Sequence, residues 1–360
     1  MYLLGACTGR DQPAGSGNDD SQGAVRHNIE QAISDRAQLT TIAFDALAWM
    51  TGDLCRDTFL PPGKVTDYFG FQHLRDNDPD GLGHNTSFVP RIANAVLAIL
   101  SDDQIDDLIE LAAEQVDSIN AIAEARYPMI EAFRRLLEED LPAGATGLDE
   151  DALASYGAGL FRIDGEVSLG RAIGLGVIAR SLSDAQRAEL DALAVGGSSG
   201  WPDLPDQVDK SSMSRDMHVA VITYASEFFG WYEGSIEADV YFCPERHGTY
   251  FGSFYMKDMP AMGNPDYSIP TELTGDLGDA FLSVLNASQR AIIEELVDAQ
   301  RDALMEVVEV REDISVELRK LITQSSIDEA YVLERSERYG ELDAQIAALY
   351  VAHSRRSTSV

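Results

Sequence analysis

The segment "AVLAILSDDQIDDLIELAAEQVDSINAIAEARYPMIEAFRRLL" at residues 95–137 has a counterpart at residues 280–322, "AFLSVLNASQRAIIEELVDAQRDALMEVVEVREDISVELRKLI". Aligned without a gap, the two segments are identical at 12 of 43 positions. Self-similarity over this length is a stronger indication of fold than any single motif in the chain. The identities include the pairs Leu100/Leu285, Gln104/Gln289, Gln115/Gln300, Arg126/Arg311 and Arg134/Arg319.

The similarity continues on both sides of these segments. Upstream, "YFGFQHLRD" (68–76) is echoed by "YFGSFYMKD" (250–258), and downstream "LDE" (148–150) matches "IDE" (327–329). The sequence therefore predicts two homologous halves, each a repeat of one unit. The predicted boundaries are a flexible tether at 1–24, a first repeat at 25–165, connecting helices at 166–204 and a second repeat at 205–355.

Each repeat has the periodicity of helices. Between residues 104 and 137, apolar side chains recur every three or four positions, which is typical of an amphipathic helix. Pro128 should interrupt this helix, whereas Asp313 stands at the matching place in the second repeat and should leave that helix straight. Further helices are predicted at 26–52, 148–162, 165–180, 183–194, 212–235, 289–322 and 328–353.

The fold class that follows is mainly α, with the tandem duplication forming a pseudo-twofold helical bundle. Loops rich in aromatic residues, Gly and Pro are expected at 60–90 and 258–276. One stretch, "ADVYFCPERHGTYFGSFYM" (238–256), alternates and is rich in aromatic residues, so it is the candidate for a single small β-hairpin.

The composition limits the partners. The net charge is −34, and only four lysines occur in 360 residues. A surface of this sign repels nucleic acid and anionic lipid, because phosphate binding needs clustered Lys and Arg. Metal cations and basic or unfolded protein clients remain as partners, while the alternative explanation of the charge is solubility alone.

The first residues resemble a processing signal. Leu4-Gly5-Ala6-Cys7 is similar to the lipobox of bacterial lipoproteins, in which Cys7 would carry the lipid and the polar stretch after it would be the tether. The alternative is a cysteine in a flexible tail. No segment reaches the roughly 18–20 apolar residues of a membrane span, so a lipid anchor would be the only membrane attachment. Lipidation implies a bacterial periplasmic or outer-surface location, where the remaining pair Cys55 and Cys243 would form a disulfide.

Three helix starts share one pattern: "LSDDQ" (100–104), "LSDAQ" (182–186) and "LNASQ" (285–289). Ser or Asn followed by Gln three residues later is the pattern of a capping box. The pattern also resembles the LTxxQ motif of the Spy/CpxP family of periplasmic helical proteins, with Ser or Asn in place of Thr. That resemblance implies an α-hairpin that dimerises and acts as a chaperone or metal-responsive factor. Here the duplication would make one chain copy such a dimer.

An acidic loop in the first repeat, "DNDPDGLGHN" (76–85), is a candidate calcium site. Asp76, Asp78 and Asp80 alternate and are followed by a Gly, which matches the opening of an EF-hand loop. His84 lies in the same loop. Position 12 is Ser87 rather than the bidentate Glu, so the sequence indicates a looser calcium site, with a solvated acidic turn as the alternative.

The corresponding loop of the second repeat carries thioethers instead. Met256, Met259 and Met262 are evenly spaced and His247 is near in sequence, a set that suits a soft ion such as Cu(I). The alternative is that these methionines fill gaps in a core.

No nucleophile, zinc, phosphate-loop or haem motif is present. Cys243 and His247 could be read as a thiol–imidazole pair, but a disulfide would silence the thiol. The favoured function is a non-enzymatic envelope protein that binds ions or clients. The alternative is a metal-dependent enzyme or redox protein with its site between the loops at 55–90 and 240–268.

Overall fold

The structure is a computed structural model, and it describes residues 34–35, 38–39, 42–43, 88–125, 127–236, 239–240 and 274–358. Within these ranges the chain is mainly helical and contains no strand, so the predicted class is confirmed at that level. Most of the predicted hairpin lies outside the described residues. The two residues of it that are described, Asp239 and Val240, are helical.

Nine α-helices make up the described part of the chain, joined by short loops and two 3-10 turns at Lys210–Ser212 and Lys320–Ile322. No helix among them is long and apolar enough to cross a membrane. The helices are α1 (Phe88–Ile99), α2 (Asp102–Ala125), α3 (Tyr127–Leu137), α4 (Glu150–Ser181), α5 (Asp184–Gly200), α6 (Arg215–Glu233), α7 (Thr274–Val284), α8 (Ala287–Arg319) and α9 (Glu329–Thr358).

The helix starts follow the capping signals in the sequence. At α8 the Asn286 side chain accepts a hydrogen bond from the Gln289 backbone N–H at 3.0 Å, and the Gln289 side chain accepts one from the Asn286 N–H at 3.1 Å. Asp149 and Asp328 cap α4 and α9 in the same way, each accepting from the backbone N–H three residues on, at 3.0 Å. Local side chains therefore satisfy donors that the first helical turn leaves open.

The effect of proline is also as expected. The helix that begins at Asp102 ends at Ala125, and α3 starts at Tyr127 with Pro128 in its first turn, where the missing N–H has no helical partner to lose. In contrast, α8 runs without a break through Asp313 for 33 residues.

One predicted boundary is wrong. Separate helices were expected at 148–162 and 165–180, but α4 is a single helix of 32 residues. Asp164 and Gly165 indicate a break when read locally, yet both are buried within the helix. Gly165 leaves room for a neighbour, since a Cβ atom there would lie 2.7 Å from the Cβ of Ser336 on α9.

The two long helices α4 and α9 form the most extensive helix pair and lie at the centre. They approach closely at Gly157 and Gly340, where a Cβ atom on Gly157 would overlap the Gly340 carbonyl oxygen. On one side of this point Gly157 faces Ala344, and on the other Gly165 faces Ser336. Small side chains thus let the two backbones meet.

The outer helices cover this pair in a crossed order. α8 packs on α9 within the predicted second repeat, and α2 packs on α4. However, α6, from the second repeat, packs on α1 and α2 of the first. Residues from the beginning of the chain in turn contact α8, where Gln300 donates to Gln38 at 3.0 Å and Arg301 pairs with Asp35 at 2.7 Å. The two predicted repeats therefore exchange helices.

Candidate functional site

The site residues predicted from the sequence all fall outside the described residues. The calcium loop, the thioether loop, the disulfide and the lipidation site accordingly remain predictions, and so does the alternative enzyme site between 55–90 and 240–268. The residues concerned are Asp76, Asp78, Asp80, His84, His247, Met256, Met259, Met262, Cys55, Cys243 and Cys7. In the part of the chain that the structure does describe, no group of three or more His, Cys, Asp or Glu side chains could hold a metal ion.

The most distinctive surface in the described residues is the outer face of α2. Seven exposed carboxylates project from one side of this helix, and its 24 residues include no Lys, Arg or His. At 3.6 residues per turn the seven fall within about 140° of arc and extend over roughly 22 Å. They are Asp102, Asp103, Asp106, Asp107, Glu110, Glu114 and Asp117.

No basic side chain neutralises this face within the described ranges. Elsewhere on the surface carboxylates commonly face arginines: Glu306 with Arg338 at 2.6 Å, and Asp313 with Arg335 at 2.8 Å. On α2, only Asp102 and Asp103 gain from the positive end of the helix dipole, which acts over the first turn. The remaining charges on α2 are held next to one another without compensation.

The fold itself does not require this face. At the offset of 185 residues that aligns α2 with α8, the seven positions carry only two acids, Glu295 and Asp302. The other five are small or apolar, namely Ala287, Ser288, Ala291, Ile292 and Ala299. Two helices of similar sequence and matching start thus differ in the charge of this exposed face.

A buried polar cluster joins α2, α4 and α6. The guanidinium group of Arg171 pairs with Glu227 at 2.9 Å and donates to the Tyr224 hydroxyl at 3.2 Å. It also lies 4.3 Å from the centre of the Tyr224 ring. The hydroxyl of Tyr224 donates to Gln115 at 2.6 Å, and Gln115 donates to the Val167 carbonyl oxygen at 2.9 Å. All four side chains are buried, so the cluster fixes helix positions rather than presenting a reactive group.

Sequence reasoning missed this cluster. Its signal is Arg171 within the apolar run "SLGRAIGLGVIA" at 168–179, since a lone charge on a buried helical face needs a partner. The sequence does not reveal that partner, because Glu227 and Tyr224 lie more than 50 residues away on α6.

A second buried cluster holds the segment after α6 against α8. The carboxylate of Asp239 accepts hydrogen bonds from Ser315 at 2.5 Å and from Arg319 at 3.1 Å, while Arg311 donates to its backbone oxygen at 2.6 Å. Burial raises the pKa of Asp239 to about 6 even though the arginines favour its ionised form. Sequence reasoning placed Asp239 at the start of a hairpin and missed this role.

A third acidic group, Glu233, ends α6. Burial, together with the nearby carboxylate of Asp191 on α5, raises the pKa of Glu233 to about 7. Its Oε1 atom is buried and has no hydrogen-bond partner among the described residues. This carboxyl group therefore changes charge near neutral pH.

Comparison of the chain with protein-family models, with curated protein sequences and with solved structures finds no match.

Proposed function

We propose that this chain is a non-enzymatic protein of the bacterial cell envelope that binds cations, both metal ions and basic segments of protein clients, on a duplicated helical scaffold. The observation that carries the proposal is the acidic face of α2, which supports binding of basic segments, while the metal-ion part rests on the predicted loop with Asp76, Asp78 and Asp80. The location follows from the lipobox-like segment around Cys7 and from the resemblance of the capping motifs to Spy/CpxP proteins.

The acidic face supports binding through its own energetics. Like charges three or four residues apart on a helix destabilise it by about 0.2–0.5 kcal/mol per pair. Asp103, Asp107, Glu110 and Glu114 form a continuous series of such pairs. A bound Lys- or Arg-rich segment converts this repulsion into attraction and releases part of the strain on α2. On α8, acids at the same spacing are interleaved with ion pairs, such as Asp298 with Arg301 and Glu306 with Arg338, so the uncompensated series distinguishes α2.

The duplication is supported by matching helix ends. At an offset of 185, the start of α2 at Asp102 corresponds to the start of α8 at Ala287. At an offset of 179, the caps Asp149 and Asp328 coincide. The same offset of 179 also relates the two contacts that flank the centre of the α4–α9 pair, because Gly157 and Ala344 map onto Ser336 and Gly165. A pseudo-twofold axis through this pair accounts for all of these relations.

The proposal is tested by removing charge from α2 and, in a matched variant, from α8. The first variant changes Asp103, Asp107, Glu110 and Glu114 to the corresponding amides. The control changes Glu294, Asp302, Glu309 and Glu312, which are exposed acids of α8 without an ion pair in the described structure. Both variants alter the net charge by the same amount, so general electrostatic attraction affects them equally.

The probe is a fluorescent peptide of alternating Lys and Ser at fixed ionic strength, and its binding is measured by fluorescence anisotropy. We expect the α2 variant to weaken binding of the Lys/Ser peptide by about tenfold or more and the α8 variant by less than about twofold. Equal losses in both variants would show that only the net charge matters, and the proposal would then be wrong.

A further inference from the structure

An apolar strip lies along the solvent side of α4. Four large apolar side chains there are between 37% and 45% exposed: Tyr156, Ile163, Ile173 and Val177. Their spacing of 7, 10 and 4 residues places them on one face of the helix. The remaining faces of α4 are covered by α2, α6 and α9, so this face, which also carries the ion-paired Arg162 and Glu166, is the part that no described element covers.

The strip runs beside α2. Gly170 and Gly174 leave room for that helix, because a Cβ atom on Gly170 would lie 2.8 Å from the Gln115 amide nitrogen and one on Gly174 would lie 2.7 Å from Leu111. Further along the same edge, the Tyr156 hydroxyl donates to the Ala125 carbonyl oxygen at 2.6 Å. These contacts show that α2 and α4 are antiparallel and that the apolar strip follows the seam between them.

Carboxylates of α2 border the same seam. Leu111 touches α4, and its neighbours on the helix surface are the residues three and four positions away. Two of these, Leu108 and Gln115, are buried and point to the core, while the other two, Asp107 and Glu114, are exposed. The solvent side of the seam therefore has apolar side chains on α4 and negative charge on α2.

The corresponding seam of the second repeat has neither property. At the offset of 179, Ile163 corresponds to Leu342, which is buried with 2% exposure, and Tyr156 and Val177 correspond to Arg335 and Arg356. These arginines lie against acids of α8, Asp313 at 2.8 Å and Glu295 at 3.8 Å. The exposed apolar strip and the acidic face thus occur together on one pair of helices and are both missing from its counterpart.

From this coincidence we propose that the seam between α2 and α4 binds an amphipathic basic segment of a protein client. Its apolar side chains cover Ile163, Ile173 and Val177, and its Lys or Arg side chains face Asp107 and Glu114. This site rests on the proposed function and names the kind of client. Charge complementarity selects the occupant, because a second copy of a chain with net charge −34 would bring like charges together.

The test uses the full chain and two peptides of equal charge. One is an 18-residue peptide with Leu and Lys at helical spacing, and the other has Ser in place of each Leu. The strip variant is Ile173→Ser with Val177→Ser. The matched control is Val195→Ser with Val284→Ser, since these valines are exposed on α5 and α7, away from the seam. Circular dichroism melts establish that both variants fold.

We expect the Leu/Lys peptide to bind the protein more tightly than the Ser/Lys peptide does. The strip variant should lower the affinity for the Leu/Lys peptide by about tenfold, because two apolar contacts are lost. Binding of the Leu/Lys peptide to the control variant should change by less than about twofold, and so should binding of the Ser/Lys peptide to the strip variant. Hydrogen exchange should show protection by the Leu/Lys peptide along residues 156–177, which gives a second measurement independent of the substitutions.

Each other outcome has a defined meaning. If both peptides bind equally and depend on the α2 carboxylates alone, the seam proposal is wrong while the proposed function stands. If the strip variant changes the sedimentation coefficient of the protein without peptide, the strip is a contact between copies and the seam proposal is again wrong. If neither peptide binds, the seam proposal and the client-binding part of the proposed function both fail.

Discussion

The side-chain amide of Gln186 donates a hydrogen bond to Oε1 of Gln104 at 2.7 Å. Each of these glutamines also closes its own capping box, accepting from the backbone N–H of Ser183 or Ser101 at 2.9 Å. Gln186 in addition donates to the Ile99 carbonyl oxygen at 2.9 Å, which α1 leaves open at its end. The repeated Leu-Ser-x-x-Gln pattern therefore does more than start helices, because here it joins two helix starts and one helix end.

Replacing Gln186 should cost more than losing a cap. Ser183→Ala removes only the capping acceptor and should destabilise the fold by about 1 kcal/mol. Gln186→Ala also removes the bonds to Gln104 and Ile99, so we expect about 2 kcal/mol in total. Urea unfolding of both variants measures the difference. A Gln186→Ala variant no less stable than Ser183→Ala would mean that the link between the helices contributes nothing.

The buried pair Arg171–Glu227 should show strong coupling. Replacing either residue alone by Met leaves the other charge buried without its main partner and should cost about 3–5 kcal/mol, whereas the double replacement should cost far less than the sum. Unfolding free energies of the four proteins give the coupling. The exposed pair Arg162–Glu337 is the control and should couple far more weakly than the buried pair. Comparable coupling in the two pairs would contradict the role given to the buried one.

Glu233 should make stability fall as pH rises. Burial raises its pKa in the fold to about 7, above the ordinary glutamate value of 4.5, so between these values the folded state binds more protons than the unfolded state. The free energy of unfolding then decreases with pH over this window. Glu233→Gln should match the wild type below about pH 4 and exceed its stability by about 1–3 kcal/mol at pH 8, after allowance for partial exposure.

The comparison with Glu233→Gln is needed because other groups oppose the trend. Burial lowers the pKa of His218 and of His353, so their contributions increase as pH rises towards 6.5. These contributions are the same in the wild type and in the variant. Glu189→Gln on the exposed side of α5 serves as the control. If the difference in unfolding free energy between the wild type and Glu233→Gln were the same at pH 5 and at pH 8, the proposed titration of Glu233 would be excluded.

The predicted calcium loop gives a test outside the helical part. Three carboxylates at alternate positions repel one another unless an ion neutralises them, so millimolar Ca²⁺ should raise the melting temperature above that in matched salt. Mg²⁺ should do so less, because it demands tight octahedral geometry. Asp78→Asn with Asp80→Asn should abolish the increment that is specific to Ca²⁺. If the increment persists in the double variant, the loop is not the site.

The elements that the sequence predicts well are those set by neighbours in the chain. The caps at Asn286 and Ser183 and the interruption at Pro128 depend on contacts within a few residues, and all three occur. The break expected near Gly165 fails because that glycine serves a contact with α9, which no local pattern reveals. For the same reason the partners of Arg171 and Asp239 could not be predicted, since tertiary packing selects them.

The acidic face of α2 is different, because its residues are visible in the sequence and their exposure follows from the helical period. What the sequence does not provide is the neighbouring surface. The exposure of Ile163 depends on how far α2 covers α4, and the corresponding Leu342 is buried although the two helices align. The location of a binding seam therefore depends on packing even where its charges can be predicted.

The exchange of helices between the predicted repeats has a consequence for how the protein unfolds. A protease that cuts the chain between α5 and α6, near Gly200, would not separate two independent pieces, since α6 would stay packed on α1 and α2. Neither predicted repeat can unfold without exposing apolar surface of the other to water, so we expect one cooperative unfolding transition instead of two. Contacts such as the one between Gln38 and Gln300, which are 262 residues apart, also form only after most of the chain has been synthesised. Folding should accordingly be slow for a helical protein. While only the predicted first repeat has been synthesised, the apolar surface that α6 later covers should stay exposed to water.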